Sequence, residues 1–216
     1  MRVGGDRFTG VGFVRNEQTC SGMSHQGYQR NLPHWQPENG VFAITFRLWG
    51  TIPMAVFLEL KERSSGPELE AILKARFPAF YSFYRDGLST PKWLADPKVA
   101  DIVQEALHFR DGEMFRLIAY CIMPTHVHMV VDRVDGVLFR VMQSLKRHTA
   151  REANCRLQRT GRPFWHRESY DHVIRDYRDM CNQLRYLIDN PVKSGLVSEW
   201  SEFPYTYVRP GFEVYL

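Results

Sequence analysis

The sequence predicts an α+β chain built around one antiparallel sheet, and three observations point to it. Residues Phe42, Ile44, Phe46 and Leu48 alternate with Ala43, Thr45 and Arg47, the period of a strand. Two further strand-like runs, 114–123 and 126–133, are joined by a link so short that they must pair antiparallel. Helical stripes fall between and after these runs. The resulting order (strand, helices, strand, strand, helix, strand, helix) is a ferredoxin-like βαββαβ antiparallel sheet with additional helices, and its C-terminal helix carries a tyrosine.

Each element has a local signature. Gly50 to Pro53 reads as a turn. Pro67 opens a helix of strong helix formers through Phe77, and Pro78 complicates its continuation through Phe80, Phe83 and Tyr84. Asp96-Pro97 is an N-cap followed by proline at the first helical position, and Val99, Ile102, Val103, Ala106 and Leu107 then form an apolar stripe. Asp111-Gly112 is a turn into the next strand. Met123-Pro124 ends that strand, and the histidine strand starts at His126. Leu138, Val141, Met142, Leu145 and Thr149 predict a helix, and 164–175 a bent strand. Asp176 caps a last helix that should end near Asn190 at Pro191.

The expected organisation is a flexible N-terminal arm over 1–30, rich in Gly, Ser, Gln, Asn and Arg, then one domain over 31–205 and a tail over 206–216. With 44% hydrophobic and 24% charged residues, the chain can bury a real core. Four cysteines without C-x-x-C spacing read as reduced thiols, Cys121 and Cys181 as small buried hydrophobes, and the protein as cytoplasmic. Neither a signal-type apolar region nor a run of membrane-spanning length is visible. The net charge is only +4, but between Gly136 and Arg175 nine Lys/Arg face three acids. That segment is either a solvated basic face or a polyanion contact.

The chemistry-bearing residues sit at two places. His126 and His128 leave their strand on one face, with Val127, Met129 and Val131 on the other, so two imidazoles stand side by side as ligands for a divalent metal. On the last helix, Met180, Leu184, Leu187 and Ile188 form the apolar stripe. Tyr186 falls off that stripe with Asp179, Gln183 and Asn190, and Asn190 is its i+4 neighbour. Tyr186 is therefore either a half-buried surface tyrosine or a nucleophile with a polar metal ligand one turn away. A phenol of pKa about 10 is a poor nucleophile unless helped. A metal on the histidines and the amide oxygen of Asn190 would supply that help at a phosphate.

Three segments carry a resemblance, in register: Met123-Pro124-Thr125-His126-Val127-His128-Met129-Val130-Val131, Tyr170-Asp171-His172-Val173-Ile174-Arg175, and Tyr186 to Val197. With Arg30 to Pro37 and Val41 to Arg47, the chain resembles the REP-associated tyrosine transposases, single-tyrosine HUH enzymes, over about Arg30 to Tyr205. The resemblance implies a metal-dependent DNA transesterase, using Mg²⁺ or Mn²⁺. Such an enzyme cleaves and transfers single-stranded DNA beside palindromic hairpins through a 5′-phosphotyrosine. It implies Tyr186 as the nucleophile, His126 and His128 as metal ligands, and Asn190 as the polar third ligand, a position that relatives fill with Gln or another residue. The chain departs from the pattern at Thr125, where relatives often carry Asn or Asp.

Within that reading, Lys146, Arg147, Arg151, Arg159, His172, Arg175 and Lys193 are candidate DNA contacts. Each has a competing role: His172 as a hydrogen-bonded structural histidine, Lys193 as a helix C-terminal charge, Trp35 and Trp165 as packing anchors or base-stacking platforms. The expected partner is hairpin-forming single-stranded DNA near the nucleoid, bound by a monomer, with a dimer as the other option. The alternative function is a hairpin-binding regulator without catalysis. A zinc hydrolase lacks a carboxylate base near the histidines.

Overall fold

The computed structural model describes residues 36–216 and, as backbone, the short antiparallel strands β1 (Tyr28–Gln29) and β2 (Pro33–His34). The arm expected over 1–30 and the candidate Trp35 lie outside the described residues, save for β1. The main sheet has five strands: β3 (Val41–Leu48), β4 (Arg116–Met123), β5 (His126–Asp132), β6 (Trp165–Ile174) and β7 (Thr206–Val208). Their order is β6-β3-β5-β4-β7, and every pair is antiparallel. The first four strands have the ferredoxin-like βαββαβ connectivity that the sequence predicts.

Strand alternation divides the sheet into two faces. Phe42, Ile44, Phe46, Leu117, Ile122, Val127, Met129 and Val131 pack under α4 (Pro97–Arg110) and α5 (Leu138–Arg156). Val41, Cys121, Met123, Val130 and Ile174 pack under α6 (Tyr177–Lys193) through Met180, Leu184, Leu187 and Ile188. Asp96 caps α4 by accepting from the Lys98 N–H, and Asp176 caps α6 by accepting from the Asp179 N–H.

Between β3 and α4 lie α1 (Met54–Arg63), α2 (Gly66–Arg76) and α3 (Pro78–Arg85), which share a satellite core around Leu69, Leu73 and Phe80. Pro78 does not prolong α2; it starts α3 at the first helical position. Gly50 joins this insertion to the sheet. Its φ of 82° suits only glycine, and the Phe83 ring presses where a Cβ would stand.

One helix was not expected, and two expectations change. Helix α1 has no buried residue, so it offers no apolar stripe to read. Helix α6 does not stop at Pro191. The proline sits in its last turn, the helix runs on to Lys193, and Gly195 (φ 69°) closes its C-terminus, with Gly195 N–H bonded to Val192 O and Leu196 N–H to Pro191 O. Residues 206–216, expected as a tail, belong to the fold. Strand β7 pairs with β4, and Phe212 and Tyr215 are buried against the α6 side of the sheet.

Candidate functional site

A cleft of about 790 Å³ opens on the α6 face of the sheet, walled by β3, β5, β6 and α6 and on its far side by the insertion. It gathers His126, His128, Tyr186 and Asn190, from two elements distant in sequence. A two-residue turn, Pro124-Thr125, places His126 at the first position of β5. His128 follows two residues on, opposite Thr45 of β3, with Arg47 opposite His126. The imidazole rings lie 4.7 Å apart, centroid to centroid, and the Tyr186 ring meets the His128 ring edge-on at 5.3 Å.

Each imidazole has one nitrogen oriented by a threonine. Thr45 Oγ1 lies 2.8 Å from His128 Nδ1, and Thr125 Oγ1 lies 2.8 Å from His126 Nδ1. If Nδ1–H donates to the hydroxyl, the Nε2 lone pair is left for a ligand, which is how metal-binding histidines are usually held. His128 Nε2 is buried and has no hydrogen-bond partner. Burial, with Arg47 adding its charge, pulls the His126 pKa down to about 4. His128 falls to about 3 through burial, then His126, then Arg47. Both rings are therefore neutral at physiological pH, the form a metal requires.

Tyr186 is 53% exposed, and its hydroxyl has no hydrogen-bond partner among the described residues. The Asn190 amide donates to Tyr186 O at 2.6 Å, which leaves Oδ1 as the atom able to take a ligand. Gln183, one turn before Tyr186, and the exposed ring of Tyr170 on β6 line the same cleft. Among the described lining residues there is neither Asp nor Glu, and no third His, Cys, Asp or Glu joins the histidine pair. Two imidazoles, an amide oxygen and open positions fit a divalent ion that takes its remaining ligands from a substrate phosphate.

The predicted DNA contacts separate into groups. Lys146 turns inward: its ammonium donates to His166 O (2.7 Å), Arg167 O (2.9 Å) and Ser169 Oγ (3.3 Å). It thus satisfies the carbonyls of β6 where that strand loses register, beside Arg47. His172 Nε2 bonds Asp179 at 2.8 Å, tying β6 to the start of α6. Arg159 stacks on Trp93 at 3.6 Å. These three have internal roles. Arg151 pairs with Glu152 and Lys193 with Asp189, both on helix surfaces. Arg147 and Arg175 are exposed. Arg147 and Arg151 sit on α5, across the sheet from the cleft. Trp165 is a packing anchor, buried against Phe46 and donating to Thr149 Oγ1 at 2.9 Å. Cys121 and Cys181 are buried as expected, and burial pushes the Cys121 thiol up to about 11.

Sequence comparison adds a relative. Over 103 residues the chain is 32% identical to a Haemophilus influenzae protein provisionally named a REP-associated tyrosine transposase; the match covers 43% of this chain and 58% of the relative. The chain is similar to a REP-associated tyrosine transposase. This bears out the resemblance carried by the three motifs. The match spans less than two thirds of the relative's length. No family model matches the chain. A solved structure of a REP-associated tyrosine transposase bound to a REP hairpin aligns over 85% of this chain and 82% of its own, at 17% identity and a TM-score of 0.47. Among the described residues, no helix is long and apolar enough to cross a membrane.

Proposed function

We propose that the protein is a transposase-type DNA transesterase that cleaves and rejoins single-stranded DNA through Tyr186. The observation that carries this reading is the meeting of the Tyr186 ring with His128, 5.3 Å away, in a cleft free of carboxylates among its described residues. The phenol oxygen attacks the phosphorus of a phosphodiester. The new O–P bond forms as the P–O3′ bond breaks; the bonding pair leaves on O3′, which takes up a proton, and the phenol proton passes to solvent. The 5′-phosphate stays on the tyrosine, so the bond energy is kept for rejoining.

His126 and His128, through Nε2, and Asn190, through Oδ1, would hold Mg²⁺ or Mn²⁺, which supplies Lewis-acid polarisation of the phosphate. Imidazole donors suit Mn²⁺ better than Mg²⁺, so Mn²⁺ is the sharper probe. Thr45 and Thr125 orient the rings, and α6 presents the phenol. A carboxylate-driven hydrolysis has no described residue in the cleft to serve as base.

The substrate we infer is hairpin-forming single-stranded DNA, as the resemblance of the three motifs suggests. Its path would reach the cleft past exposed Arg175 and Tyr170 at the β6 edge. The test is incubation of the protein with folded hairpin DNA and Mn²⁺, followed by a denaturing gel. A slow-migrating protein–DNA species that disappears with EDTA and in Tyr186→Phe is expected. Hairpin binding indifferent to metal, without any strand cleavage, would instead identify a non-catalytic regulator.

A further inference from the structure

We propose that Arg47 grips the phosphodiester that Tyr186 attacks, as a catalytic residue of the transesterification; the inference rests on the reading of the cleft given above. Arg47 is on β3, on the face shared with Thr45, and its register partner is His126. Residues paired in this way hold their Cβ atoms about 4.5–5.5 Å apart. The side chain is half-buried and lines the cleft with both histidines, Tyr186 and Asn190.

Its guanidinium has no hydrogen bond or ion pair to any described residue. Other arginines are partnered: Arg116 pairs with Asp132, Arg209 with Asp111, and Arg110 donates to Ala106 O at 2.9 Å. A desolvated cation without a counter-charge is costly unless something supplies one. Burial lowers its pKa, and the opposing influence comes from Tyr186, so the phenol and the guanidinium lie within electrostatic reach. No described side chain lining the cleft is acidic. The missing partner is thus an anion from outside.

The chemistry of that anion follows from the donor geometry. A guanidinium offers a planar fork that fits two oxygens of a phosphate. Bound there, the phosphate would face the Nε2 atoms and the phenol together. Negative charge building on the non-bridging oxygens during attack would strengthen the contact, the condition for rate acceleration. The register loss of β6 next to Arg47, braced by Lys146, leaves this point of the sheet without a regular β6 partner. That gap gives a substrate oxygen room to approach.

Two measurements test the assignment separately from the overall function. In the first, inorganic phosphate is titrated into the wild-type protein carrying ¹⁵N-arginine, with the Arg47 Nε–H signal assigned from Arg47→Lys. A saturable shift of that signal is expected; an unmoved signal overturns the assignment, whether or not the protein cleaves DNA. In the second, adduct formation on hairpin DNA with Mn²⁺ is timed for wild type, Arg47→Lys and Arg47→Ala. Both variants should be slower by about 10²–10³-fold, because a lysine keeps the charge but not the fork. With an uncharged methylphosphonate at the scissile linkage, the deficit of Arg47→Ala should shrink to a few-fold. Unchanged rates in both variants, alongside a dead Tyr186→Phe, would sink Arg47 alone. Adducts persisting in Tyr186→Phe would sink the transesterase and leave the phosphate titration to decide on Arg47.

Discussion

On the α4/α5 face of the sheet, Val127 and Met129 are sealed beneath two helices, 0% and 1% exposed. On the α6 face, their sequence neighbours His126 and His128 look into a cleft that one helix covers only in part. The same seven-residue strand β5 therefore supplies a core and a site, split by its period of two. Strand β3 repeats the division, with Phe46 inward and Thr45 and Arg47 toward the cleft. Apolar packing on one face fixes the register that aligns polar groups on the other, and a slip by one residue would lose both.

Substitutions should separate the two faces. The largest effect belongs to the cleft: Tyr186→Phe should reduce adduct formation by about 10³-fold or more. Its melting temperature should stay near wild type, because the hydroxyl is unpartnered among the described residues. A stability loss comparable to that of a core mutation would show instead that the hydroxyl holds the fold. Next, Thr45→Val should weaken Mn²⁺ binding by about 10–100-fold through the lost hold on His128 Nδ1, read by calorimetry. On the opposite face, Met129→Ala should cost about 2–5 kcal/mol in urea unfolding, through loss of buried contacts.

The histidines also make the cleft pH-sensitive. Their folded pKa values, about 4 and about 3, lie below the ordinary imidazole value. The unfolded chain therefore binds protons first as pH falls. Above about pH 6.5 the shift has no effect; below it stability declines, by up to about 1.4 kcal/mol per pH unit for each histidine, until the folded values are reached. Urea unfolding of wild type and His128→Gln at pH 7, 6, 5 and 4 should show a shallower decline in the variant. The smallest effect concerns the basic groups. Arg147→Ala should lower the salt slope of DNA binding by about 1, whereas Lys146→Ala should chiefly destabilise the β6 bend.

What the sequence made legible were relations within one element. His126 and His128 share a face because of strand period, and Tyr186 and Asn190 share one because of helix period. The apolar stripe of α6 left Tyr186 visibly off it. Relations between elements were harder to read. Arg47 was visible only as the polar half of an alternating strand; its meaning depends on facing His126 across a ladder. Lys146 and Arg159 looked like free cations, and His172 like either a phosphate contact or a hydrogen-bonded structural residue; their partners are the backbone of residues 166 and 167, the Trp93 ring and Asp179. Strand β7 is three residues long and had no pattern of its own to announce it.

The most direct measurement is peptide mass spectrometry after reaction with folded hairpin DNA and Mn²⁺. A nucleotide mass attached to the peptide containing Tyr186, at that residue, through a 5′-phosphate is expected. An attachment at any other residue, or cleaved DNA with an unmodified Tyr186 peptide at every time point, would contradict it.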